Sequence, residues 1–387
     1  VGWNSAVQEQ PTGGTTNSSR SLIGLSTGAS VWPELRSRLT RFELNADTSN
    51  RRSVVNLDYT ANKYVSLIEF RDCQFHGASV NFSPVSYPGV SQSLSLINNV
   101  WQDCTVGAYR HVGGPHQVTA RHNLFRGGEL TLYYYFWDTS GNPQWISTDN
   151  FFEGVNLSTY SIATNRLYAG WNGYTTASAA LGGSFNKVNL TSDWVAAGGP
   201  LGPWYYPTSG GGTSLYNLIN NGSRNSTDAG LYHYTTRADQ TNEGVTQVDI
   251  GFHYVGTLNS TSLTLKDQDN DTLPDYLEDW SGDGSKNGVE SDWTHSNSDG
   301  DGLFDVNELL YGTLLTNVPS DADGVSDINE LFQGTDPLDT VNGYPLLLGD
   351  WRFNTTGVLT NQQGVAPNNG AAIPLTASDE GLAPAFG

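Results

Sequence analysis

The chain has 387 residues, enough for two or three domains and a substantial apolar core. Its formal net charge is −21, but residues 263–340 alone hold 19 Asp and Glu against Lys266 and Lys286, a local net of −17 that leaves −4 for the rest of the chain. No basic stripe exists to neutralise phosphates, which excludes nucleic acid as a ligand, and no apolar run reaches the length of about eighteen residues that a helical membrane span requires.

The opening VGWNSAVQEQ has neither the basic nor the apolar region of a signal peptide, and the chain contains no methionine. It is expected to be a processed or excised mature segment. Residues 1–40 are polar and turn-rich, with WPELRSRL from Trp32 to Leu39 the one candidate helical turn or cap. Gly, Ser, Thr and Asn are abundant and Lys is scarce, a blend that points to an all-β, loop-rich fold.

Between residues 65 and 160 the short strands become periodic. Aligning SLIEFRDCQFHG, LSLINNVWQDC, VTARHNLFRGG and WISTDNFFEG puts Phe75, Trp101, Phe125 and Phe152 in one column, at spacings of 26, 24 and 27 residues. Two positions earlier the column reads Cys73, Asn99, Asn123 and Asn150. Self-similarity at such a period means units that bury their apolar faces only by stacking. A right-handed parallel β-helix is expected, with an internal aromatic stack and a side-chain ladder of asparagines at a turn. An antiparallel sandwich is the alternative, but it predicts hairpin spacings nearer ten residues. Cys73 and Cys104 fall at different phases of the repeat, too far apart for a disulfide, so two free thiols are expected.

Gly/Pro-rich pieces such as AAGGPLGPWYYPTSGGG interrupt the period between 160 and 240. LYHYTT and VDIGFHYV are then the expected last strands, with Tyr232, Tyr234, Phe252 and Tyr254 covering the open end of the coil stack. The segments IEFRDCQFHG, ARHNLFRGGELTLYY and VTQVDIGFHYVG resemble bacterial parallel β-helix repeat proteins, in which a similar stretch closes the solenoid before calcium repeats. That resemblance covers roughly residues 40–262, and residues 1–262 are taken as the β-helix domain.

Residues 263–340 carry the chemistry. DQDNDTLPDYLE places Asp267, Asp269, Asp271, Asp275 and Glu278 at positions 1, 3, 5, 9 and 12 of a twelve-residue loop, with Leu273 at position 7. DWSGDGSKNGVE follows at once, with Asp279, Ser281, Asp283, Asn287 and Glu290 at the same five positions. NSDGDGLFDVNE repeats the pattern with Asn297, Asp299, Asp301, Asp305 and Glu308, and Leu303 at position 7. PSDADGVSDINE gives Asp321, Asp323, Asp327 and Glu330, with Val325 at position 7, but Pro319 stands where the first ligand belongs.

These positions turn successive oxygens inward around a hard cation; position 7 offers a carbonyl, and position 6 needs the backbone freedom of glycine. Gly284, Gly302 and Gly324 supply that freedom and Thr272 does not. The oxygen count suits Ca2+ better than a rigid Mg2+ octahedron, and three to four ions are expected. An acidic linker is the bland alternative, but it has no reason to keep a register through four segments. Paired EF-hands are excluded by spacing, because Glu278 and Asp279 leave no room for two helices between loops.

The segments DQDNDTLPDYLE, NSDGDGLFDVNELLYGT and DADGVSDINELFQGTDP resemble thrombospondin type 3 calcium repeats of bacterial surface proteins. That resemblance implies acidic loops wrapped on a string of ions, with little regular secondary structure. Sites that weak calcium would fill outside cells imply an extracellular or cell-surface location.

Beyond GTDPLD, residues 341–387 contain YPLLLGDWRF, which resembles the opening strand of a laminin-G-like sandwich. Such a strand is expected to pair with this chain, to pair with a neighbouring molecule, or to mark truncation. The fold class expected is therefore all-β: a right-handed parallel β-helix, a calcium-stabilised type 3-like repeat module and a C-terminal strand segment.

The function expected is a non-enzymatic structural or adhesive protein that self-associates into an oligomer or filament and meets carbohydrate or another surface ligand. The alternative is a calcium-dependent polysaccharide lyase or hydrolase using Arg71, Asp72, Arg110, His111, Arg121 or His122. No catalytic fingerprint motif supports it. Tyr133 to Trp137 and Trp204 to Tyr206 offer stacking surface for a sugar, although burial is the better expectation for so dense an apolar cluster.

Overall fold

The computed structural model describes residues 5–8, 34–44, 53–57, 66–82, 92–110, 116–134, 145–160, 162, 166–178, 180–209, 213–317, 320, 321 and 323–340, and the strands within 351–374. It forms two compact units: residues 1–268 with 274–285, and residues 269–273 with 286–387.

The first unit is a parallel β-solenoid. After β1 (Ser5–Gln8), one coil holds β2 (Glu34–Arg38), β3 (Thr40–Glu43) and β4 (Ser53–Leu57). The next holds β5 (Leu67–Arg71), β6 (Gln74–His76) and β7 (Ser79–Phe82), followed by β8 (Gln92–Ile97), β9 (Val100–Gln102) and β10 (Thr105–Arg110). Then come β11 (His116–Arg121), β12 (Leu124–Arg126) and β13 (Glu129–Tyr134), and β14 (Trp145–Thr148), β15 (Phe151–Glu153) and β16 (Asn156–Tyr160). β17 (Leu167–Gly170), β18 (Gly173–Thr175) and β19 (Lys187–Leu190) end the stack.

Every third strand pairs in parallel with its counterpart one coil away, giving three sheets in the orders β1-β3-β6-β9-β12-β15-β18-β19, β16-β13-β10-β7-β4 and β17-β14-β11-β8-β5-β2. Parallel pairing rules out the antiparallel sandwich. It also corrects the helical turn expected over Trp32–Leu39: ELRSR is strand β2, in register with β5 through Arg36↔Glu69 and Ser37↔Phe70. Its outward polar residues read as a helical surface in isolation, and the neighbouring coil decides the matter.

The aromatic column forms a continuous internal stack. Phe42, Phe75, Trp101, Phe125, Phe152 and Tyr174 follow one another at ring-centroid distances of 4.7, 3.9, 6.0, 5.2 and 5.1 Å, with planes within 15° of parallel. The asparagine ladder runs beside it. Each side-chain carbonyl accepts the backbone N–H one coil back: Cys73 to Asn99 at 2.9 Å, Asn99 to Asn123 at 3.1 Å, Asn123 to Asn150 at 3.0 Å and Asn150 to Asn172 at 2.9 Å. Each side-chain amide donates to a backbone carbonyl at 2.8 Å, that of Phe70, Leu96, Ala120 or Ser147.

The residue before each rung is a corner in the left-handed region. Leu39, Asp72, Asn98, His122, Asp149 and Trp171 have φ between 50 and 61°. Cys73 and Cys104 are both buried and free, as their repeat phases require.

Residues 191–265 form a wrap against the flank of this solenoid. Two-residue alternation on β9, β12 and β15 sends Trp101, Phe125 and Phe152 inward and Val100, Leu124 and Phe151 outward. The outward three are fully buried by Tyr205, Tyr206, Leu215, Leu218, Ile250, Phe252 and Tyr254 of the wrap. Tyr234 packs with Leu39, Leu231 and Val248. Tyr234, Phe252 and Tyr254 therefore cover the side of the coils, a correction to the expected end cap, because outward apolar residues on successive coils have to be covered along their length. The wrap has little regular structure: α1 (Ser226–Ala229) and the antiparallel pair β20 (Tyr234–Thr235) and β21 (Tyr254–Val255).

At the C-terminus, β22 (Trp351–Phe353), β23 (Val358–Asn361) and β24 (Ala372–Pro374) make an antiparallel three-stranded sheet, so Trp351–Phe353 pairs within its own chain. Tyr344 to Gly349 lie outside the described residues.

The ladder generates a test. In Asn123→Ala, the Asn99 N–H and the Leu96 and Arg121 carbonyls all lose their side-chain partner inside the protein, at a cost of roughly 3–5 kcal/mol. Asn186→Ala, at the half-buried last rung, costs about 1 kcal/mol. Urea denaturation compares the two, and equal losses would contradict the ladder as the stabilising element.

Candidate metal centre

All four acidic loops are built on the same local backbone. The position-6 residues Thr272, Gly284, Gly302 and Gly324 have φ of 83, 77, 101 and 92°. Thr272 adopts the glycine-like conformation despite its branched side chain, which costs on the order of 1 kcal/mol of strain.

Loops three and four lie wholly in the second unit. In loop three, Asp299 accepts the Asp301 N–H at 3.1 Å and Asp301 accepts the Leu303 N–H at 2.6 Å, each through Oδ1. In loop four, Asp321 accepts the Asp323 N–H at 3.1 Å and Asp323 accepts the Val325 N–H at 2.8 Å. These short hydrogen bonds fix the first oxygen of each carboxylate. The second oxygens, Oδ2 of Asp299, Asp301, Asp321 and Asp323, together with both oxygens of Glu308 and Glu330, are enclosed and receive no hydrogen bond. Oxygens of Asp321, Asp323 and Glu330 converge within 4.8 Å of one another.

Burial of bare carboxylates is costly unless a cation compensates. Burial, with Asp299, Asp301 and Asp305 alongside, pushes Glu308 up to about 9, and burial with Asp323, Asp321 and Asp327 pushes Glu330 up to about 7. Desolvation likewise raises Asp299 and Asp301. Enclosed carboxylate oxygens at positions 3, 5 and 12, with the position-7 carbonyl, make an all-oxygen donor set of the kind a large divalent cation accepts. In loop four, Asp321, Asp323, Val325 and Glu330 would hold such an ion, and Asp299, Asp301, Leu303 and Glu308 are their counterparts in loop three.

The position-9 residues have another task. Asp305 accepts the Ser298 N–H at 2.8 Å and the Ser298 hydroxyl at 2.7 Å, and Asp327 accepts the Ser320 N–H at 2.8 Å and its hydroxyl at 2.5 Å. Each also opens a helix, α3 (Asp305–Tyr311) and α4 (Asp327–Gln333), placing a negative side chain at the positive helix end. Gly312 and Gly334 close these helices in the left-handed region. The loops thus carry more regular structure than the repeat resemblance implies. Asn297 accepts the Gly300 N–H at 2.7 Å, and Pro319 lies outside the described residues.

Loops one and two are divided between the units and are described by parts. Within the second unit, Asp269 accepts the Asp271 N–H at 3.2 Å and Asp271 accepts the Leu273 N–H at 2.7 Å, the pattern of loops three and four. Within the first, Asp275 opens the short helix α2 (Asp275–Glu278) and accepts the Gln268 N–H at 2.7 Å. Asp267 and Glu278 belong to that unit also, and Tyr276 of the same turn packs with Leu231 and Tyr234.

Loop two departs further. Asp279 is fully buried and already enclosed: His233 Nε2 lies 3.1 Å from it, and the Gly282 and Gly284 N–H groups at 2.8 Å and the Ser281 hydroxyl at 3.1 Å donate to it. Burial alone raises its pKa, but the His233 contact and the backbone donors outweigh that and hold it low. A histidine imidazole sits where a cation was expected, a partner 46 residues upstream that no local spacing signals. Asp283 accepts the Ser285 N–H at 2.8 Å, and in the second unit Glu290 accepts the Asn287 N–H at 3.1 Å.

Among the residues weighed for lyase chemistry, Asp72 and Arg71 are engaged in internal contacts. Asp72 accepts from Arg38 at 2.9 Å, Asn98 at 2.8 Å and Tyr234 at 3.0 Å, and Arg71 donates to the Gly230 carbonyl at 3.2 Å. His122 is enclosed at a left-handed corner, not on a strand as the alternation of an RH pair suggests. Arg121 is half-buried beside it, while His111 and the Arg110 side chain lie outside the described residues. Trp204, Tyr205 and Tyr206 belong to the wrap and are buried where it meets the solenoid; Tyr133 stacks on Tyr160 at 5.1 Å, and Tyr135 to Trp137 lie outside the described residues.

Comparison of the chain with protein-family models, with curated proteins and with solved structures returns no match.

The raised carboxyls set a pH dependence for the cation-free loops. Glu308 and Glu330 bind protons more tightly folded than unfolded, so their contribution to stability is full below about pH 4.5 and is lost as pH rises through about 7 and then about 9. In chelator, the tract should resist proteolysis better at pH 5 than at pH 9. Equal cleavage rates at both, corrected for the protease's own pH dependence, would contradict the repulsion.

Proposed function

We propose that the chain is an extracellular structural or adhesive protein in which calcium, held by the acidic loops, takes the place of an apolar core over residues 267–330. The observation that carries this reading is the repeated set of enclosed, donor-free carboxylate oxygens in loops three and four. A module of that kind holds its shape where calcium is plentiful and loses it where calcium is scarce, which suits an extracellular setting. The thrombospondin type 3 resemblance supports the same reading on the sequence of the loops. The parallel solenoid supports a scaffold role, since its interior is filled by side chains through Tyr174 and its corner residues Asp72, Asn98 and Asp149 are committed to hydrogen bonds.

Self-association is proposed through the C-terminal sheet, whose outer strands Trp351–Phe353 and Ala372–Pro374 each have one partner among the described strands. A head-to-tail contact that does not close makes a filament.

Calorimetric titration of the full chain tests the metal reading. Ca2+ should bind with proton release at pH 7, Mg2+ at the same concentration should not replace it, and Glu308→Gln should weaken one site by at least about tenfold, the smallest loss typical even of outer-shell partners. Absence of any calcium heat, or a Glu308→Gln titration identical to wild type, would overturn it. Solution mass with and without residues 341–387 tests assembly: an unchanged monomer in both removes the proposed strand pairing.

A further inference from the structure

Away from the acidic loops, a second group of titratable side chains meets inside the first unit, where the wrap crosses the solenoid corners. Glu243 and Asp249 are 5% and 2% exposed, and His253 and His122 are each 1% exposed. Asp249 accepts the Asn220 N–H at 2.6 Å through one oxygen and the Thr236 hydroxyl through the other. Glu243 Oε2 accepts the Asp249 N–H at 3.3 Å, and Glu243 Oε1 lies 3.3 Å from His253 Nε2. A cavity of about 60 Å³ borders both carboxyls and gives them a route for proton exchange. Neither carboxyl has an Arg or Lys ion-pair partner among the described residues: Arg237, on the cavity wall, pairs with Asp239 at 2.7 Å, and Lys266 donates to Gln240 and Asn242.

Two carboxylates buried side by side without a cation cannot both ionise cheaply. We propose that Glu243 and Asp249 share one proton, and that this proton fastens the wrap to the solenoid, so that its loss loosens the wrap.

The pair is well placed for that. The segment that carries Asp249 runs on to His253, whose N–H donates to the Asn98 side chain at 2.8 Å and whose carbonyl accepts from it at 2.9 Å. On one side of this clamp, Asp149 holds Ser223 at 2.6 Å and Arg224 at 3.2 Å; on the other, Asp72 holds Tyr234 at 3.0 Å. These contacts join the corner column of the solenoid to the wrap, and Asp249 lies on the wrap segment that makes the central one.

The charged and titratable groups facing the pair are His253, Arg237 and Tyr206 directly, with His122, Asp149, Asp72 and Arg224 behind His253. Burial and the neighbouring carboxyl push Asp249 up to about 7, and burial pushes Glu243 up to about 7. Burial lowers His253 to about 4 and depresses His122 further, with His253 and the nearby arginines adding to it. The signs oppose. The shared proton stabilises the wrap at low pH and is lost as pH rises through about 7, whereas the neutral histidines favour the fold above their unfolded value of about 6.5 and weaken it below.

Glu243→Gln separates the two, because glutamine mimics the protonated acid and leaves both histidines in place. Unfolding of wild type and Glu243→Gln is measured from pH 6 to 8, and histidine contributions cancel in their ratio. The ratio of folding constants, wild type over variant, should fall about tenfold across that range, as for one proton bound at pH 6 and released by pH 8. A ratio independent of pH overturns the proposal. If Glu243→Gln does not fold, infrared absorption decides on a chain carrying Glu308→Gln and Glu330→Gln, which remove the two most strongly raised acids of the loops. A carboxylic-acid carbonyl band present at pH 6 and gone at pH 9 supports the shared proton; no band at pH 6 overturns it.

Discussion

The solenoid depends on a corner that backbone groups alone cannot close. Between the long and short strands of each coil the chain reverses through one residue in the left-handed region, and the next residue's N–H and a carbonyl of the preceding strand are left facing the interior. Buried without partners, each such group costs on the order of 1–3 kcal/mol. A primary amide answers both needs at once, since asparagine carries an acceptor and two donors on one short arm. Asn99, Asn123, Asn150 and Asn172 do this in turn, each one's carbonyl serving the backbone one coil back. The aromatic stack follows from the ladder, because residues two positions later are held at a common height and phase.

Fixing the corners also fixes what must happen outside. The short strands β9, β12 and β15 each hold two consecutive apolar residues, and the pleat sends one to each face. Val100, Leu124 and Phe151 therefore stand on the exterior in a row, and an uncovered row of that kind invites association. The wrap is the remedy within the chain. Its apolar residues cover that row, while its polar residues meet the corner side chains Asp72, Asn98, His122 and Asp149, which have left the interior because the left-handed corner turns them outward.

These relations explain what could be read from the residues. The stack and ladder were legible because side chains of the same type recur at a nearly constant period, and stacking demands such recurrence. The corners were not. Asp, Asn and His tolerate the left-handed region better than most residues, but Leu39 and Trp171 sit there too, held by their neighbours, so no residue type marks the column. The wrap was misplaced at the end of the coils because its partners lie as far as 196 residues away and carry no period, although the doublets Val100–Trp101, Leu124–Phe125 and Phe151–Phe152 did announce that one residue of each needed an external cover. In the acidic tract the register was legible, but the roles were not equal. Positions 3, 5 and 12 present oxygens without donors, whereas position 9 is occupied by the serine at position 2 in loops three and four.

That inequality explains how such loops fold at all. A chain that relied on the ion for every turn would have to order twelve residues and collect several like charges in one step. Here the Oδ1 atoms of positions 3 and 5 are tied to backbone N–H groups two residues on, position 9 is tied to position 2, and the left-handed residue at position 6 sets the reversal. The backbone turn is stabilised by neutral donors that need no cation. What remains is concentrated repulsion among a few oxygens, and Glu308 feels it most because position 12 closes the loop against Asp299 and Asp301. The proposed cation would meet a shape already formed, and its attraction would act on the groups whose mutual repulsion opposes that shape. Loop two shows the other solution to the same problem: where His233 and three glycine- or serine-borne donors already surround Asp279, the repulsion is relieved by the protein itself, and the segment packs as part of the first unit.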